Sequence, residues 1–117
     1  MRTLTDQEIT TILTVIELPL LRSNEKQLWD EELIQWSSGH VDVEGILYNC
    51  KYCAITDKGY DVLDQQDPIR VIRLIGNLRR YVLLERFMNK VSKSKLVEFL
   101  TGSDPVIRDA AKVRYES

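Results

Sequence analysis

Between His40 and Ile55 the spacing of apolar residues changes. On either side they recur three and four apart, the repeat of a helix that buries one face. Inside the stretch Val41 and Val43 alternate, Gly45 follows, and Ile46-Leu47-Tyr48 and Tyr52-Cys53-Ala54-Ile55 flank a polar Asn49. Two short β-leaning runs about an asparagine predict a small hairpin with its tip near Asn49 and Lys51. A helix over residues 42 to 50 is the competing reading. The chain as a whole is expected to be mainly α with this one β-hairpin.

The helices announce themselves through caps as well as periods. Thr5 and Glu8 form a capping-box pair, in which each side chain satisfies a free amide of the first turn. Ile9, Ile12, Leu13 and Ile16 then line one face until Pro19, predicting a helix over 6–18. Ser23 or Asn24 can cap a second helix near 24–37, with Leu28, Trp29, Leu33 and Trp36 on a buried arc and Ser37-Ser38-Gly39 as its stop. Its exposed side would carry Glu25, Asp30, Glu31 and Glu32. Thr56 caps a short helix bearing Tyr60, Val62 and Leu63. Asp67-Pro68 is a cap with proline at the first helical position, and no further break signal precedes Ser92, which predicts one long helix over 68–91. A helix pair over 94–115 completes the chain, the second member capped by Asp104 with Pro105 behind it.

The long helix has an internal conflict. Its first half sets Arg70, Arg73, Asn77 and Arg80 opposite Val71, Leu74, Ile75, Leu78 and Val82. Past Leu83 the polar set Glu85, Arg86, Asn89 and Lys90 falls on the formerly apolar side. Such a helix either breaks near Leu83 or packs against two bodies. The second body is expected to be another copy of the chain, giving a homodimer through Tyr81, Leu84, Phe87, Met88 and Val91.

With 117 residues, 44% of them hydrophobic, the chain has the size of a single domain, 1–117, that needs no staple. No run approaches the roughly 18 apolar residues of a membrane span, and the N-terminus lacks the apolar core of a signal peptide. No membrane association is expected, and a cytoplasmic location with reduced cysteines follows. The net charge of −2 conceals segregation: residues 1–69 carry −8, and residues 70–95 carry +7. The basic segment, with Arg70, Arg73, Arg79, Arg80, Lys90, Lys93 and Lys95, is where a polyanion such as DNA would bind.

Catalytic chemistry finds little support. The chain has one histidine, no glycine-rich phosphate loop and no nucleophile elbow, and an enzyme is not expected. Cys50 and Cys53 have the spacing of half a zinc site, and His40 offers a third ligand, but no second ligand pair exists within the chain. In an extended strand the two thiols point to opposite faces, and the favoured reading is two reduced thiols acting as small hydrophobes. No cofactor is expected.

The segment "YCAITDKGYDVLDQQ", residues 52–66, resembles the end of a winged-helix domain, where a wing strand runs into a Thr-x-Lys-Gly turn that opens a helix. The resemblance implies a winged-helix-like part over 3–66, followed by a long helix of the kind such regulators use for dimerisation. The region that would supply a recognition helix is acidic, however, and a helix must neutralise phosphate before it reads bases. The leading expectation is therefore a non-catalytic regulator or adaptor that binds another protein through Glu25, Asp30, Glu31 and Glu32. The alternative is a DNA-binding regulator that uses the basic segment for phosphate contacts.

Overall fold

A computed structural model describes residues 2–19 and 22–117. The chain divides into two compact units, Met1–Gln65 and Gln66–Ser117. The first carries 12 acidic and 5 basic side chains, net −7, and the second 11 basic and 6 acidic, net +5. The first combines three helices with one antiparallel hairpin, and the second is built from helices. Among the described residues no helix is long and apolar enough to cross a membrane.

In the first unit, helix α1 (Asp6–Glu17) begins as its capping box dictates. The Glu8 amide donates to Thr5 Oγ1 at 3.1 Å and the Thr5 amide donates to Glu8 Oε1 at 3.0 Å. Leu4 and Ile9, at the positions of a hydrophobic staple, are both buried, as are Ile12, Leu13 and Val15. Helix α2 (Lys26–Asp30) is a single turn and a half around buried Leu28, far shorter than the helix over 24–37 that the apolar spacing predicts. It ends in a Schellman motif: Glu32 is left-handed at φ 59°, its amide donates to Trp29 O, and the Leu33 amide donates to Leu28 O. The residues beyond, Trp36 and Ser37-Ser38-Gly39 included, are strand.

That strand, β1 (Ile34–Val43), pairs with β2 (Ile46–Ile55) in register from Ile34↔Ile55 to Val43↔Ile46. The turn is Glu44-Gly45, with φ of 54° and 83°, the double positive φ of a type I′ hairpin turn. The Gly45 amide donates to Asp42 Oδ1 at 2.8 Å. Asn49 is therefore not at the tip but in mid-strand, opposite His40. The hairpin starts six residues earlier than expected because strand alternation begins at Ile34, inside the region read as helix. A Cβ on Gly39 would lie 3.0 Å from Tyr52 Cε1, so the tyrosine ring covers the glycine diagonally across the ladder.

β2 leads through Thr56 into α3 (Asp57–Asp64), where Thr56 Oγ1 accepts from the Gly59 amide at 3.0 Å. A Cβ on Gly59 would sit 2.2 Å from Leu33 O and 2.6 Å from Ile55 Cγ1, so only glycine lets the first turn of α3 rest on this backbone.

In the second unit, α4 (Pro68–Leu78) is capped by Asp67 and buries Val71, Ile72 and Ile75. The continuous helix expected over 68–91 does not form. Arg79 turns left-handed at φ 54°, its amide donates to Gly76 O, and the Arg80 amide donates to Ile75 O, a second Schellman ending. α5 (Leu84–Met88), α6 (Lys93–Leu100) and α7 (Pro105–Glu116) follow, the last two packed together as the expected helix pair. The break resolves the polarity conflict: α5 takes its own direction and buries Leu84, Phe87 and Met88, with Val91 just beyond. These four residues, expected at a dimer interface, are each at most 4% exposed within the chain and offer a second copy nothing to touch. Tyr81, the fifth, donates to Asp104 Oδ2 at 2.8 Å.

Candidate protein-binding surface

The ladder sorts the hairpin side chains onto two faces. Ser37/Tyr52, Gly39/Cys50, Val41/Tyr48 and Val43/Ile46 share one face, while Trp36/Cys53, Ser38/Lys51, His40/Asn49 and Asp42/Leu47 share the other. The first face carries no charge along these positions, and toward the tip it becomes apolar. Val43, Ile46 and Tyr48 there, and Leu47 on the other side, are between 50% and 68% exposed. Nearer the base this face borders a largely apolar groove of about 420 Å³ lined by Leu18, Pro19, Gly39, Val41, Cys50 and Tyr52, with His40 at its edge. No third strand pairs with either edge among the described residues, so both outer rows of backbone amides and carbonyls are unpaired in the ladder.

Cys50 and Cys53 lie in β2 on opposite faces. Cys53 is buried, and Cys50 Sγ lies 3.6 Å from Gly39 O. Among the described residues no three His, Cys, Asp or Glu side chains converge on a point, and His40 faces Asn49 across the ladder.

The acidic residues expected to meet a partner are not presented as one open face. Arg2 Nε pairs with Glu31 Oε2 at 2.8 Å, and the same guanidinium donates to buried Glu8. Lys26 pairs with Asp30 at 3.9 Å, and Glu25 is the N-cap residue of α2. Burial would push the Glu8 carboxyl up, but the Thr5 amide and the Arg2 guanidinium together hold it below its ordinary range. Neither Glu25, which caps α2 without a side-chain bond, nor Glu32 has a side-chain partner among the described residues, and Glu32 lines a pocket together with Asp57. Glu32 and Asp57 share this pocket with Trp29 and Trp36, whose rings are 5.2 Å apart and tilted by 30°. The two indoles touch across a helix and a strand rather than sharing the buried arc of one helix, and Trp36, expected to be buried there, is 51% exposed.

The basic residues of the second unit are largely occupied at home. Arg73 pairs with Glu98, Lys93 donates to Ser117 O, and Lys90 lies 5.4 Å from the Phe87 ring centroid. Arg70 and Arg80 are half-buried and engaged within the chain, and Lys95 is exposed. Arg79 and Arg73 line a cleft of about 770 Å³ with Tyr81 and Asp104. Asp104 also accepts from the Val106 and Ile107 amides as the cap of α7. Burial raises the Asp104 carboxyl, and the Tyr81 hydroxyl, the two amides and Arg79 lower it by more; the same bond raises the Tyr81 hydroxyl. The charged groups of this cleft answer one another and leave little for a ligand.

No protein-family model, curated protein or solved structure matches the chain.

Proposed function

We propose that the protein is a non-catalytic regulator or adaptor whose first unit binds another protein through the distal half of the β1–β2 hairpin. The observation that carries this reading is the exposure of Val43, Ile46, Leu47 and Tyr48 on a two-stranded ladder that no third strand joins among the described residues. A hairpin of two strands is marginal in water unless a face is covered, and a partner strand or apolar surface would supply that cover. Asp42 and Glu44 at the tip, within a unit of net −7, direct it toward a basic-rimmed protein surface and away from phosphate.

The reading is tested by affinity capture with the full chain and with an Ile46→Asp/Tyr48→Asp variant, both positions being exposed enough to accept charge without loss of fold. Partners bound by the parent and lost by the variant, with unchanged circular dichroism, are the expected result. Equal recovery by both would overturn it. The net +5 of the second unit favours the alternative, a DNA-binding regulator in which the basic residues contact phosphate. Binding to mixed duplex DNA at roughly 50 and 200 mM salt separates the two, because phosphate contacts lose most of their affinity over that range. Strong binding that collapses with salt would promote the alternative; no binding at the lower salt would remove it. The mass in solution at micromolar concentration decides whether either activity belongs to a homodimer.

A further inference from the structure

The pocket that joins α2, the base of β1 and the start of α3 has a volume of about 760 Å³ and an unusual lining. Both tryptophans of the chain, Trp29 and Trp36, stand on it, with Ile34 and Ile55 as apolar surface and Glu32, Asp57 and Lys58 as charges. Trp36 is 51% exposed, yet its ring is held against Trp29, which is itself fixed by donation from Nε1 to Ser23 O at 3.0 Å. The backbone of Glu32 is fixed in turn, since Thr56 Oγ1 donates to Glu32 O at 2.6 Å. Neither the Glu32 nor the Asp57 carboxylate has an ion-pair partner among the described residues. The result is a preorganised, half-open aromatic wall beside two carboxylates, with Lys58 on the same lining.

We propose that this pocket receives an arginine side chain presented by the protein partner, an inference that rests on the protein-binding reading of the first unit. Indole faces attract a cation through the ring quadrupole, and the attraction grows as the site loses water. Arginine suits the site better than lysine, because its planar guanidinium stacks on an indole while its N–H groups donate in plane to carboxylates. The negative field of the unit steers such a cation inward, and the carboxylates repel phosphate from the same wall. Lys58 opposes the cation and sets a limit on affinity.

The two tryptophans make the site report on itself, since all indole fluorescence of the chain arises in this pocket. The full chain is titrated with the blocked tripeptide acetyl-Gly-Arg-Gly amide and with its citrulline counterpart, a neutral group of the same shape. A saturable change in emission with the arginine peptide, at least about tenfold weaker with citrulline, is expected, and Lys58→Met tightens it several-fold. The Glu32→Gln/Asp57→Asn variant loses about tenfold in affinity with unchanged circular dichroism. An equal response to both peptides, or none in the millimolar range, overturns the proposal. If the arginine peptide fails while the Ile46→Asp/Tyr48→Asp variant still loses its partner, the pocket is wrong and the hairpin reading stands; if the reverse holds, the hairpin is the error.

Discussion

Single residues decide several features that no period reveals. Gly59 is the sharpest case: its hydrogen is all that separates α3 from the Leu33 carbonyl. Gly59→Ala should cost upward of about 3 kcal/mol, the upper end of overpacking penalties, because the obstacle is backbone that cannot swing away. Urea denaturation of the variant, read at the first unit's tryptophans, checks this; a midpoint within error of the parent would contradict it. The Thr-x-Lys-Gly spacing that marks this turn was visible in the sequence, and Thr56 does cap α3 there. What the spacing did not reveal is Thr56's second task, tying the turn to the Glu32 carbonyl 24 residues earlier.

At the scale of elements, both misread helices fail in the same way. Residues 24–37 and 68–91 have helical apolar spacing and no glycine or proline where the chain actually turns, so a reading that waits for glycine runs on. The chain instead closes α2 and α4 with Schellman motifs that place Glu32 and Arg79 in the left-handed region. That conformation costs an L-residue about 1–2 kcal/mol, of which glycine's extra chain entropy returns roughly 0.5–1 kcal/mol. Arg79→Gly should therefore stabilise the second unit by about 0.5–1 kcal/mol, seen as a higher denaturant midpoint with unchanged slope. A lower midpoint would show that the arginine side chain contributes more than the strain removes. The hairpin suffers the converse error. Glu44-Gly45 is a two-residue turn whose first member is atypical, and polar Asn49 drew attention that belonged four residues earlier.

For the whole molecule the relevant quantities are charge and its titration. Glu8 in the first unit and Asp104 in the second are carboxylates whose ionised form the fold favours. A lowered folded pKa contributes stability that is present above the ordinary values of 4.5 and 3.8 and is lost as pH falls through the lower folded values. Tyr81 acts at the other end: its raised pKa adds stability below the ordinary 10.0, lost as pH climbs through the folded value. Stability of the second unit should thus hold level between these limits and fall beyond both. Asp104→Asn, which keeps a capping side chain, should flatten the acid limb, and Tyr81→Phe the alkaline limb; pH-dependent thermal unfolding measures each. Unaltered limbs would show that neither group is the source. By itself the sequence determined the local signals, because each depends on neighbours within a turn: the capping box at Thr5 and Glu8, the caps at Thr56, Asp67 and Asp104, the presence of one hairpin, the terminal helix pair and the segregation of charge. Only the tertiary structure decided where α2 and α4 end, which apolar residues of 84–91 are buried, and that Trp29, Trp36, Glu32 and Asp57 share a pocket. Those outcomes turn on left-handed residues and contacts between distant segments, and neither leaves a periodic trace in the chain.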